Sequence, residues 1–122
     1  MDHSYPTSPP SYASNVWTFD TQTSIKSVKY VYAVLYIDPT LDGVSVVGKL
    51  SCSVALIVPG GLSYSFELVS LQGWIEGSEL IGFYGSPQTE VIFDPPSKIS
   101  VHLNVPAVFS QKEGNALWVV GT

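Results

Sequence analysis

Hydrophobic residues recur at every second position through most of this 122-residue chain, and that period selects β-strands over helices. The run Lys29–Ile37 shows it most fully. Val31, Ala33, Leu35 and Ile37 fall on one side, and Tyr30, Tyr32, Val34 and Tyr36 on the other. Neither side is polar, so the strand is expected to be covered twice: by an aliphatic core, and by a second surface that meets its tyrosines. Tyrosine suits such a half-wet place because its ring is apolar and its hydroxyl can stay solvated.

The same period continues down the chain. A bent strand is expected over residues 44–58, with the bend at Gly48 and with Leu50, Cys52, Val54, Leu56 and Val58 on one face. Pro59-Gly60-Gly61 breaks the chain. Leu62, Tyr64, Phe66 and Leu68 then alternate with polar residues, and a change of phase is expected at Val69-Ser70-Leu71. Short strands follow over 80–84 and 89–93. Ile99, Val101, Leu103 and Val105 alternate with Ser100, His102 and Asn104. A last turn at Lys112–Asn115 leads into Ala116–Val120. No helical period extends over ten residues. The expected fold is all-β: an antiparallel β-sandwich, jelly-roll-like, of eight or nine strands, with a small closed β-barrel as the alternative.

Residues 1–14 are of a different kind. Three prolines, four serines and two tyrosines within Ser4–Ser14 favour extended geometry and cannot build a core. The segment reads as an extended N-terminal arm on a single β-domain of residues 15–122, expected to lie on a neighbouring subunit. Pro6 and Pro9 match a P-x-x-P pattern but lack the adjacent basic residue that recognition modules favour. The N-terminus has neither the basic nor the apolar region of a secretory signal peptide, so synthesis in the cytosol is expected, with the final location open.

Composition narrows the partners. Ten acidic residues face five basic ones, all lysine, for a formal charge of -5. Without arginine or a basic cluster the chain is poorly equipped to hold nucleic acid or an anionic membrane. No apolar run is long enough for membrane insertion by a helix. The single Cys52 cannot form an intramolecular disulfide and reads as a core thiol.

The chain carries few motifs of known chemistry. Nucleotide-binding loops, the nucleophile elbow and the zincin helix are absent, and two histidines with one cysteine make no zinc set. No cofactor, metal or catalytic residue is expected. His102 with Ser100 and Asn104 reads as the polar side of a strand, Asp38–Gly43 as a turn rather than a calcium loop, and Glu67, Glu76, Glu79 and Glu90 as surface carboxylates.

Charged residues make up 12% of the chain, about half the usual quarter, so large neutral faces must be exposed or paired. The expected function is therefore a non-catalytic structural or assembly module, a homo-oligomer associating through Tyr5, Pro6, Pro9, Pro10 and Tyr12 of the arm and through Tyr30, Tyr32 and Tyr36. A small barrel that binds an apolar small molecule, or acts as a cyclase or isomerase without metal or nucleotide, is the alternative. A carbohydrate-binding module is third. For either of these, Trp17, Tyr64, Phe66, Trp74, Tyr84 and Trp118 are the expected ligand contacts.

Overall fold

The computed structural model describes residues 2–13, 15–38, 46–47, 50–71, 74–75, 77–92 and 97–122, with only the backbone described at 46, 47, 74, 75 and 97. Among the described residues twelve strands follow one another: β1 (His3–Pro6), β2 (Ser11–Ala13), β3 (Val16–Thr23), β4 (Ser27–Ile37), β5 (Val46–Val47), β6 (Ser51–Ile57), β7 (Ser63–Ser70), β8 (Trp74–Ile75), β9 (Glu79–Gly85), β10 (Val91–Ile92), β11 (Ser97–Asn104) and β12 (Ala116–Gly121). Ten of them form one antiparallel sheet in the order β1-β12-β4-β9-β7-β6-β11-β3-β2, with β10 beside β4, while β5 and β8 make a separate ribbon.

That sheet is folded on itself. Between β9 and β7 the register holds for only Val69↔Tyr84 and Ser70↔Phe83, whereas β6 and β7 pair from Ser51↔Val69 to Ile57↔Ser63. The narrow seam divides the strands into two halves, β1-β12-β4-β9 and β7-β6-β11-β3-β2, stacked as a β-sandwich. Alternation then decides what lies between them. One half sends in Val31, Ala33, Leu35, Ile37, Ile81, Phe83, Leu117 and Val119; the other sends in Trp17, Phe19, Cys52, Val54, Leu56, Leu68, Ile99, Val101 and Leu103. Phe109 closes one end, with its ring 5.3 Å from Phe83 and 6.3 Å from Trp17.

The antiparallel sandwich expected from the periodicity is the architecture, and the closed barrel is not: the sheet is open, with β1 and β2 at its two ends. The expected single strand over 44–58 is two elements, β5 and β6, and Gly48 lies outside the described residues. No change of phase occurs at Val69-Ser70-Leu71. Ser70 takes the inward place that alternation assigns it, with its hydroxyl oxygen accepting from the Leu50 amide at 2.9 Å, and Leu71 is exposed. A buried serine is tolerable there because it satisfies an amide that the end of β6 leaves over.

The arm is part of the sheet. His3–Pro6 pair with Trp118–Gly121 of β12, and Ser11–Ala13 pair with Val16–Thr18 of β3. Between them the Thr7 amide donates to the Leu117 carbonyl at 2.9 Å, and the Ser8 amide to the Asp20 carbonyl at 2.9 Å. The arm thus crosses from one half of the sandwich to the other and binds both. Thr21 Oγ1 donates to the Pro6 carbonyl at 3.0 Å, Tyr5 and Ser24 hydroxyls meet at 2.7 Å, and Asp2 pairs with Lys29 at 2.9 Å.

Asn115, expected only as a turn residue, is a buried junction. Its Oδ1 accepts from the Tyr36 amide at 2.6 Å, and its Nδ2 donates to Tyr12 Oη at 2.9 Å and to the Ser110 carbonyl at 2.8 Å. One side chain ties β4, the arm and the turn before β12 together. Replacing it, Asn115→Ala, leaves the Tyr36 amide without an acceptor and is expected to destabilise the fold by about 1–3 kcal/mol, read as a lowered midpoint in urea unfolding.

Candidate functional site

The two outer faces of the sandwich differ in chemistry, and paired residues in antiparallel strands point to the same side, so the registers define each face. Across the first half and over the seam onto β7 runs the row Pro6–Trp118–Tyr32–Tyr84–Val69, one residue from each of five adjacent strands. Ser4, Val120 and Tyr30 follow beside it. Across the second half run Val16–Asn104–Ser53–Glu67 and Thr18–His102–Ala55–Ser65. One face is aromatic and uncharged in its centre; the other is dominated by hydroxyl, amide, imidazole and carboxylate groups.

The aromatic face is contoured. Tyr30 and Tyr84 lie 5.1 Å apart with planes tilted by 44°, and Tyr32 and Trp118 lie 5.7 Å apart at 40°. Gly82 makes room for this: a Cβ there would stand 3.1 Å from the Tyr32 hydroxyl, so the ring can lie down across β9. Together with Ser4 and Val120 these four rings enclose an open groove of about 430 Å³. Tyr84 is 45% exposed, and Leu80 and Leu71 at 48% and 63% extend the apolar surface. At one margin Lys112 Nζ sits 4.8 Å over the Tyr36 ring, and at another the Asp2–Lys29 pair stands on the surface. The charges border the aromatic centre and do not enter it.

On the polar face a second groove of about 550 Å³ is lined by Val16, Ser53, Ala55, Ser65, Glu67, His102 and Asn104. The triplet expected on β11 does not act together, because the Ser100 hydroxyl is taken by Asp20 Oδ1 of the neighbouring strand. The expected carboxylates are dispersed: Glu67 on β7, Glu79 at the start of β9, and Glu90 accepting from Ser27 Oγ at 3.0 Å. Glu76 lies outside the described residues, as does the Asp38–Gly43 turn beyond Asp38. Among the described residues no group of three or more His, Cys, Asp or Glu could hold a metal ion, and no helix is long and apolar enough to cross a membrane.

The aromatic residues expected to touch a ligand separate into distinct places. Trp17, at 1% exposure, and Phe66 belong to the core, and Tyr64 packs against it. Trp17 is further covered by the arm, with Tyr12 edge-on at 4.9 Å. Tyr84 and Trp118 line the groove of the aromatic face, Phe66 also borders that of the polar face, and the side chain of Trp74 lies outside the described residues. The space between the sheets is occupied by core side chains, so the described grooves open on the outside and not into a lumen. Tilts of 40° and 44° also depart from the coplanar rings that a flat sugar platform requires.

The residues expected at an interface are likewise divided. Tyr30, Tyr32 and Tyr36 lie on the outer face as the alternation implies, half-buried by their neighbours. Tyr5, Pro6, Pro9, Pro10 and Tyr12 lie on their own domain in the single chain, where the two sheet ends need hydrogen-bond partners and the arm is the nearest strand. Trp118 and Tyr84 complete the aromatic row and were not legible as part of it, since the rows join strands distant in sequence.

Cys52 is buried at 3% exposure, as its phase implies. Burial, with a smaller contribution from the Glu67 carboxylate, pushes its thiol from the ordinary 9.0 up to about 12. No known family model matches the chain, and comparison with curated proteins finds no match.

The thiol gives a test of the core. Between pH 9.0 and about 12 the unfolded chain loses the proton that the folded chain keeps. The folded state then binds more protons, so stability falls as pH rises through that window. Thermal unfolding should show this decline in the native chain and a shallower one in Cys52→Ala. Native Cys52 should also resist a thiol reagent at pH 8 and react once the chain is unfolded.

Proposed function

We propose that this chain is a non-catalytic structural module that associates with copies of itself through the aromatic outer face of β1, β12, β4 and β9. The observation that carries the reading is the row Pro6–Trp118–Tyr32–Tyr84–Val69 on a face with no charge at its centre, opposite a face of ordinary polar character. Solvent alone gives no reason for one face to hold four large rings while its counterpart holds serines, an amide and a carboxylate. Tyrosine and tryptophan are the residues that interfaces collect, because they bury much area, lose few rotamers and keep a polar handle at the rim.

The chemistry of the rest supports a module without catalysis. Among the described residues no three or more His, Cys, Asp or Glu gather into a group that could hold a metal ion, and the buried Cys52 thiol is held in its neutral form. The alternative of an apolar small ligand finds its most aromatic place among the described residues in the groove between Tyr30, Tyr32, Tyr84 and Trp118, on the same face. Self-association is favoured over it because the apolar surface continues beyond the groove to Val69, Leu71 and Leu80.

Light scattering at tens of micromolar should give the native chain a mass above the 13.2 kDa of one copy. Tyr84→Lys places a charge in the centre of the row and is expected to weaken association by about tenfold or more, with little change in unfolding temperature. Leu62→Lys, equally apolar and 61% exposed but in the β6–β7 turn, should leave the mass unchanged. A native chain that stays monomeric at the highest soluble concentration would overturn the proposal.

A further inference from the structure

The N-terminal arm is needed by the sheet and places no fully buried residue in the core. All of its described residues are exposed or half-buried; Tyr5 and Tyr12 pack against the core from outside, and the buried cluster itself begins at Trp17. Yet it supplies the outer ladder at both ends of the sheet, on β12 through His3–Pro6 and on β3 through Ser11–Ala13. Removed, it would leave two open edges, each able to take up another strand. Pro6, Pro9 and Pro10 favour an extended backbone along it.

We infer that the arm exchanges between copies: residues 2–13 of one chain leave their own edges and lie on β12 and β3 of a second chain, which returns its own arm. Every contact that the arm makes at home is available on the second copy, so the balance between closed and exchanged forms shifts with concentration. β1 borders the aromatic face and contributes Ser4 to its groove, so in the exchanged form each groove is completed by the other copy. The inference rests on the self-association proposed above and adds its means.

The Asp2–Lys29 ion pair, 2.9 Å long, reports which copy the arm lies on. Unlabelled and 15N-labelled native chains are unfolded together, refolded at high concentration, treated with a zero-length carboxyl-to-amine cross-linker and separated by size. Exchange predicts cross-linked Asp2–Lys29 peptides in the dimer fraction of which about half join one labelled and one unlabelled partner, as random pairing in a two-fold assembly requires. A dimer fraction whose cross-linked peptides are all unmixed would overturn the exchange and leave self-association standing. A sample without a dimer fraction would overturn both.

Discussion

An open sheet has two ends, and every backbone group along them must find a partner or face water. Here one peptide segment serves both. The arm enters on β12, passes through Thr7 and Ser8, whose amides reach Leu117 on one side and Asp20 on the other, and finishes on β3. The two halves of the sandwich are joined only narrowly at the β9–β7 seam, so this second link across the opposite margin fixes how they sit on each other. Trp17 shows the dependence, because its ring lies between Phe109 inside and Tyr12 of the arm outside. Prolines in the arm also limit further pairing along its length, a common way of keeping an edge from recruiting strands without control.

The far end of β12 is fixed by close backbone approach. The register slips between Val120 and Gly121, and the Ser27 and Thr122 backbones then exchange hydrogen bonds at 3.0 and 3.1 Å. A Cβ on Gly121 would run into the Ser27 carbonyl, so only glycine fits at that place. At the opposite end of β12, Asn115 does comparable work with its amide, which reaches three separate parts of the chain. A few polar groups at the termini of strands thus set a register that the uniform aliphatic core would leave free to slide.

Burial of one side of each strand leaves the other side free to specialise, and the two halves have done so differently. On β4 the outward tyrosines are flanked by Trp118 and Tyr84, and small Gly82 lets one ring recline, so the aromatic groups lean on one another and shed part of their exposure. On β6 the outward places hold Ser51, Ser53 and Ala55, small enough for a shallow trough between β11 and β7. The low charge of the chain is therefore unevenly spread: one face is aromatic and uncharged at its centre, and the other carries the polar groups, the Glu67 carboxylate among them.

Much of the fold was legible along the chain. Period-two alternation assigned the inward residues of β4, β6 and β11, and Cys52 among them, because a side chain's direction in a strand depends only on its parity. The same rule holds Ser70 inward, although its polarity suggested a change of phase. The outward tyrosines of β4 were visible for the same reason. Which strands lie side by side was not, since pairing joins residues far apart in sequence. Trp118, Tyr32 and Tyr84 form a row only once β12 and β9 flank β4, and Trp17 becomes core only once Phe109 and Tyr12 close over it. The arm's composition marked it as a separate extended piece, but its place depended on two edges that exist only in the folded sheet. Local covalent geometry settles direction, residue by residue; adjacency, and with it the aromatic face, arises from long-range hydrogen bonding that no single segment contains.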